Sequence, residues 1–144
     1  MTLTIHLGVV DVPYAGGKTT GDVAQILEDK YHIMEVFYES LGRDVVQKAI
    51  DNSIDKALIN LVMGKPTNLS DGFASFTTEM DQAFKHFLSQ QEMDGVVGGV
   101  PTQAALNGVN HRLKHPYAKS NPERPSFIDT GTYESHYTTW VEAK

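Results

Sequence analysis

Three stretches carry residue types that do chemistry. Ala15-Gly16-Gly17-Lys18-Thr19-Thr20 has the ending of a phosphate-binding loop, in which backbone N–H groups ring an anion and a lysine reaches the phosphates. That loop needs a further glycine five residues before the one preceding the lysine. Val12 stands there, with Pro13 beside it, and no apolar strand ending in Asp follows to hold magnesium. The stretch therefore reads as a flexible turn leading to a helix cap at Asp22. Phe127-Ile128-Asp129-Thr130-Gly131 could present a carboxylate for proton-sharing hydrolysis, but that chemistry takes two carboxylates, hence two such turns or a symmetric dimer. Only thirteen residues follow Gly131. Asp129, Thr130 and Gly131 read instead as a structural turn, with the Asp129 carboxylate accepting local backbone N–H bonds and Gly131 free to take positive φ. The third stretch holds His111 and His115 at i,i+4 spacing, which puts two imidazoles on one helical face. Arg112 stands where a metalloprotease needs Glu, however, and Pro116 disrupts the turn.

The remaining histidines, His6, His32, His86 and His136, are dispersed, and Glu28, Asp29, Glu35 and Glu39 read as the solvated side of a helix. No Gly-x-Ser-x-Gly elbow is present. The residues assign no catalytic site, no metal and no cofactor, so the expectation is a chain that is not an enzyme. Two other classes stand beside that reading: a small hydrolase or nucleotide-dependent enzyme using the Lys18 or Asp129 turn, and a soluble binding module of a host.

The elements that must position these residues follow from composition and period. The chain has 144 residues, 40% hydrophobic and 21% charged, with no cysteine and a net charge of −6. This suits one domain over 1–144 with its own core, excludes disulfide and thiolate chemistry, and argues against a general nucleic-acid binder. With no run of eighteen apolar residues and no basic leader, the expectation is a soluble protein of a reducing compartment. Leu3, Ile5, Leu7 and Val9 alternate as in a half-buried strand. Ile26, Leu27, Tyr31, Met34, Phe37, Tyr38 and Leu41 form a helical stripe over about 22–41, with Asp22 and Gln25 as its start and Gly42 as its stop. A second helix over 44–63 follows with Val45, Val46, Ala49, Ile50, Ile54, Leu58, Leu61 and Val62 as its buried face. The two form either a tight hairpin or one helix bent at Gly42. A third helix over 75–93 has Met80, Ala83, Phe84, Phe87 and Leu88 on a stripe narrow enough for a single neighbour. Residues 95–101 read as a flexible break, Thr102 as the cap of a short helix through Leu113, and 114–126, with Pro116, Pro122 and Pro125, as an extended arm or long loop. Tyr133 to Val141 reads as a strand whose partner is the first. The fold class is α+β: three amphipathic helices, a small antiparallel sheet of N- and C-terminal strands, and a Pro-bearing arm.

Charge divides the chain. Residues 1–95 carry seven Lys+Arg against fourteen Asp+Glu, net −7, and residues 96–144 carry five against four, net +1. Within 109–127, Arg112, Lys114, Lys119 and Arg124 face Glu123 alone. This is either a solvated connection or a docking strip for an acidic neighbour, another copy of the chain included.

Three stretches resemble structural proteins of the tailed-bacteriophage head–tail junction. Arg124-Pro125-Ser126-Phe127-Ile128-Asp129-Thr130-Gly131-Thr132-Tyr133 is similar to the turn-to-strand motif of phage minor tail, tail-completion and neck proteins. Residues 18–35 (Lys18-Thr19-Thr20-Gly21-Asp22-Val23 through Glu35) and 108–119 (Gly108-Val109-Asn110-His111-Arg112-Leu113 through Lys119) resemble phage virion proteins with the same ending. The family pattern has Arg and Leu after the glycine, where this chain has Thr132 and Tyr133, and here an extra strand precedes the first long helix. The resemblance implies a ring-forming adaptor of the virion, made in the bacterial host cytoplasm. Its partners would be copies of itself in a cyclic homo-oligomer and other neck, portal or tail proteins, with DNA as non-specific cargo of the channel and no membrane. On that reading 112–128 is the partner-binding strip, with Arg112, Lys114, His115, Lys119 and Arg124 as its interface residues. The acidic helices would suit a channel wall past which DNA slides.

Overall fold

A computed structural model describes residues 2–68 and 73–144. Strand β1 (Leu3–Val9) pairs antiparallel with β2 (Tyr137–Ala143), in register from Leu3 opposite Ala143 to Val9 opposite Tyr137. The two strands expected to find each other do so. Alternation sorts their side chains: Ile5, Leu7, Val9, Tyr137, Thr139 and Val141 face the core, whereas His6 and Trp140 stack outside with ring centroids 4.9 Å apart. Gly8 makes room for that indole, since a Cβ there would stand 3.0 Å from it.

Helix α1 (Thr20–Tyr31) starts earlier than the Asp22 cap expected from sequence. Thr19 is the N-cap, its hydroxyl accepting from the Asp22 N–H at 3.2 Å while the Asp22 carboxylate accepts from the Thr19 N–H at 3.0 Å. Asp22 thus closes the box rather than opening it. Thr20, fully buried, ties the helix to the strand: its hydroxyl donates to Val10 O and accepts from Val12 N.

The helix expected over 22–41 is interrupted. His32 takes a left-handed conformation (φ 53°, ψ 44°), and α2 (Ile33–Phe37) begins anew. The Glu28 carboxylate caps it, accepting from the Met34 and Glu35 N–H groups at 2.8 and 3.2 Å. One left-handed residue shifts the helical phase, so that Ile33 and Phe37 are the residues fully buried here, while Ile26 of the expected stripe is exposed. Gly42, expected as a stop, has helical angles inside a π-helical turn (Tyr38–Gly42) that runs straight into α3 (Arg43–Val62). Of the hairpin and the bent helix, the structure has the continuous path. A Cβ at Gly42 would lie 3.1 Å from the Tyr38 ring and 3.4 Å from the Met80 methyl, so glycine serves the close approach to the next helix.

That helix, α4 (Phe76–Ser89), ends before the expected Met93. It is the centre of the molecule, which corrects the expectation of a single neighbour. Phe84 meets Phe37 of α2 at 5.2 Å edge to face, Tyr133 at 6.0 Å, and Tyr137 of β2 in a stack at 3.9 Å. Phe76, Met80, Phe87 and Leu88 complete the buried face. Residues 95–101 run as turns, with the Gly95 N–H bonded to Val100 O. Helix α5 (Gln103–Leu106), capped by Thr102 as expected, stops well before Leu113. Helix α6 (Thr132–Ser135) follows Gly131, whose φ of 82° is the positive value expected of it. Together these form a mixed α+β fold, and among the described residues no helix is long and apolar enough to cross a membrane.

One charge sits awkwardly against this core. Burial pushes the Asp81 carboxyl above the usual carboxylate range, against opposing help from Thr139 and Lys85, and its Oδ1 is buried without a partner among the described residues. A raised folded-state pKa means that the native chain holds this proton more tightly than the unfolded one. The associated stability is present below the ordinary Asp range and is lost as pH rises through the raised value. Asp81→Asn is therefore expected to melt higher than the parent at about pH 7, the difference shrinking toward about pH 4, as read by thermal unfolding across that range. A constant difference would contradict this.

Candidate functional site

The loop between α5 and α6 gathers most of the residues that sequence singled out. It is wound, not extended: Asn110 N–H bonds Pro116 O at 3.0 Å, Leu113 N–H bonds Asn110 O at 3.1 Å, and the Asn121 amide donates to His115 O at 2.8 Å and Pro116 O at 3.2 Å. Of the two forms open to 114–126, the structure has the long loop. Arg112, Lys114, His115 and Lys119 stand exposed on it. Arg124 does not. Its side chain is only 8% exposed, and its guanidinium donates to Val109 O and Pro125 O, so it holds the loop closed and has little surface to offer a partner.

Asp129 is the second anchor of this loop. Its Oδ1 accepts the His111 backbone N–H at 2.7 Å, its Oδ2 faces His111 Nδ1 at 2.5 Å, and Arg124 Nε lies 3.9 Å away. The carboxylate thus bonds across eighteen residues, where local N–H bonds were expected. A carboxylate on Nδ1 sets the imidazole with its N–H on that side. Nε2 is left to accept from the Tyr117 hydroxyl at 2.9 Å. Asp129, His111 and Tyr117 form a relay, which sequence reading missed because the His111–Asp129 pair is long-range. Its partners are proton donors with no second carboxylate, so the proton-sharing chemistry considered for Asp129 has no counterpart in its hydrogen bonds. Tyr117 is 73% exposed, and the relay pins the loop from its outer side.

The Lys18 turn is likewise occupied by the chain itself. The N–H groups of Thr20, Gly21 and Asp22, which a phosphate would need, bond Val12 O, Asp11 Oδ1 and Thr19 Oγ1. Hydrogen bonds from the Thr19 side chain and the Gly21 N–H hold the Asp11 carboxyl below the usual range. An anionic side chain thus sits at the positive end of α1, where a nucleotide would bring its own charge. No family model matches the chain, and no curated protein or solved structure matches it either. Functional argument rests on its own surfaces.

The acidic residues of the first helical stretch are less dispersed than sequence implied. Glu28, His32 and Glu35 bring ligand atoms within 4.8 Å of one another, because the left-handed His32 folds α2 back toward α1. Both Glu28 oxygens already cap α2, and His32 Nδ1 lies 3.4 Å from Glu35. The group works as a joint between helices. A cavity lined by Phe87, Leu88, Met93, Val100, Ser126 and Phe127 holds about 10 Å³, room for one water molecule.

The largest departure from expectation lies on α3. Only Ala49 and Ser53 of this helix are buried. Ile50, Ile54, Leu58, Leu61 and Val62, expected as its buried face, are exposed, Leu58 to 55%, Leu61 to 69% and Val62 to 87%. Ile59 and Met63 add to them. Burial of a large aliphatic side chain is worth about 1.5–3 kcal/mol, so a run of seven left open marks a surface built to be covered.

Proposed function

We propose that this chain is a structural subunit of the tailed-phage head–tail junction, a neck, connector or tail-completion protein that assembles with copies of itself into a ring. Its partners there are portal, neck or tail proteins, and DNA passes as non-specific cargo. The observation that carries the reading is the open apolar face of α3, on a chain whose anion-binding turn and Asp129 turn are both filled by its own side chains. A subunit that is finished only in an assembly leaves apolar surface of this kind. The resemblance of 124–133 to the ending of phage tail-completion and neck proteins supplies the place, and the exposed Arg112, Lys114 and Lys119 supply a basic strip for an acidic neighbour such as the net-negative helical body of the next subunit. Heterologous contacts of this sort close into rings.

Native mass spectrometry and electron microscopy of the purified chain test the reading, together with cross-linking of intact particles. Cyclic oligomers, and cross-links from this chain to portal or tail proteins, are the expected result. A chain that stays monomeric at high concentration and is missing from purified particles would overturn it.

A further inference from the structure

We propose that a second copy of this chain docks on α3, helix against helix, along the stripe formed by Ile50, Ile54, Leu58 and Leu61. This rests on the reading of the chain as a self-assembling subunit and adds to it which surface joins the copies.

The spacing identifies the kind of occupant. Ile50, Ile54, Ala57 and Leu61 recur at intervals of four, three and four, the strict seam that one helix offers another, and Leu58 widens the seam on its solvent side. The buried Ala49 and Ser53 fix the opposite edge of α3 against its own domain, with the Ser53 hydroxyl turned back onto Ala49 O. The seam is thus held facing outward.

The area is sufficient. The seven large apolar residues exposed between 50 and 63 leave roughly 800 Å² open, what each partner contributes to a stable interface of standard size.

Charge and inventory indicate that the occupant is the same chain. Residues 48–63 carry Lys48 and Lys56 against Asp51 and Asp55, a neutral stretch on a chain of net charge −6, so two copies can meet there without the repulsion that the rest of their helical bodies would impose. A helix with a complementary seam is also required. In α4 the apolar residues Phe76, Met80, Phe84, Phe87 and Leu88 are spent on the core, and in α1 Ile26 is the one large aliphatic residue exposed among the described residues. The α3 of another copy offers the same seam.

Because the chain has no cysteine, single introduced thiols report directly on proximity. Leu58→Cys and Ile54→Cys preserve size and apolarity and are expected to give disulfide-linked dimers under mild oxidation, whereas Asn52→Cys, exposed on the other flank of α3, is not; a disulfide needs Cα atoms within about 7 Å. Leu58→Glu is expected to leave the melting curve unchanged, since the side chain is exposed, and to weaken self-association by about a hundredfold or more. Oligomers that persist in Leu58→Glu without cross-linking at 54 or 58 would overturn this docking surface while leaving self-assembly intact. A parent chain that is monomeric and forms no cross-link at either position would overturn both. Cross-linking of Leu58→Cys only to a different protein in whole particles would overturn it in favour of a foreign partner.

Discussion

Phe84→Ala is expected to cost about 3–5 kcal/mol of stability, the range for removing a fully buried aromatic, against a total of about 5–15 kcal/mol for an ordinary domain. Phe84 has no exposed surface and stands where α2, α4, α6 and β2 converge: its ring touches Phe37, Tyr133 and Tyr137. Truncation deletes three aromatic contacts at once. The hole cannot collapse easily, because Phe37 is packed on its far side by Phe87 and Tyr137 is tied into the β1 pairing. Urea or thermal unfolding reads the loss. Leu58→Ala provides the contrast, with the side chain 55% exposed and a cost expected to stay below about 1 kcal/mol in the unassembled chain. Equal losses at the two positions would mean that the burial assigned to α3 and α4 is wrong.

Phe84 also illustrates what was legible in the sequence. The stripe Met80, Ala83, Phe84, Phe87, Leu88 identified the apolar face of α4, and alternation in 3–9 and 133–141 identified two strands whose simplest partner was each other. Period reveals which residues share a face. It does not reveal what lies opposite, and for that reason α3, with as clear a stripe, reads as buried when most of it is open. Boundaries failed where one backbone residue breaks the count: the left-handed His32 is invisible to periodicity, and Gly42, a good helix stop by composition, serves a close approach to Met80 instead. The Gly131 turn was legible because glycine at a turn has a local cause. The Asp129–His111–Tyr117 relay and the inward Arg124 were not, since they join residues whose proximity only the folded loop creates.

That loop makes the second large prediction. Gly108→Ala is expected to destabilise the chain by about 2–4 kcal/mol, combining the cost of a left-handed non-glycine residue with forced displacement of packed backbone. Gly108 has φ of 70°, and a Cβ there would lie 2.5 Å from Asn121 O and 2.8 Å from Pro122 O. These atoms are backbone and cannot swing aside as a side-chain tip would, so the returning limb of the loop must lift. Lifting it pulls on the Asn121 amide bonds to His115 and Pro116 and on the Arg124 bonds to Val109 and Pro125. The damage should therefore be local before it is global: hydrogen exchange should show lost protection at the Asn110, Ala118 and Asn121 amides while the β1–β2 ladder keeps its own. Unchanged melting and unchanged protection would mean that the two limbs do not touch at Gly108. The functional consequence separates the two surfaces of the molecule. If Arg112, Lys114 and Lys119 read an acidic partner from a loop held in one shape, Gly108→Ala loses that partner while helix pairing through α3 survives, and Leu58→Glu does the reverse.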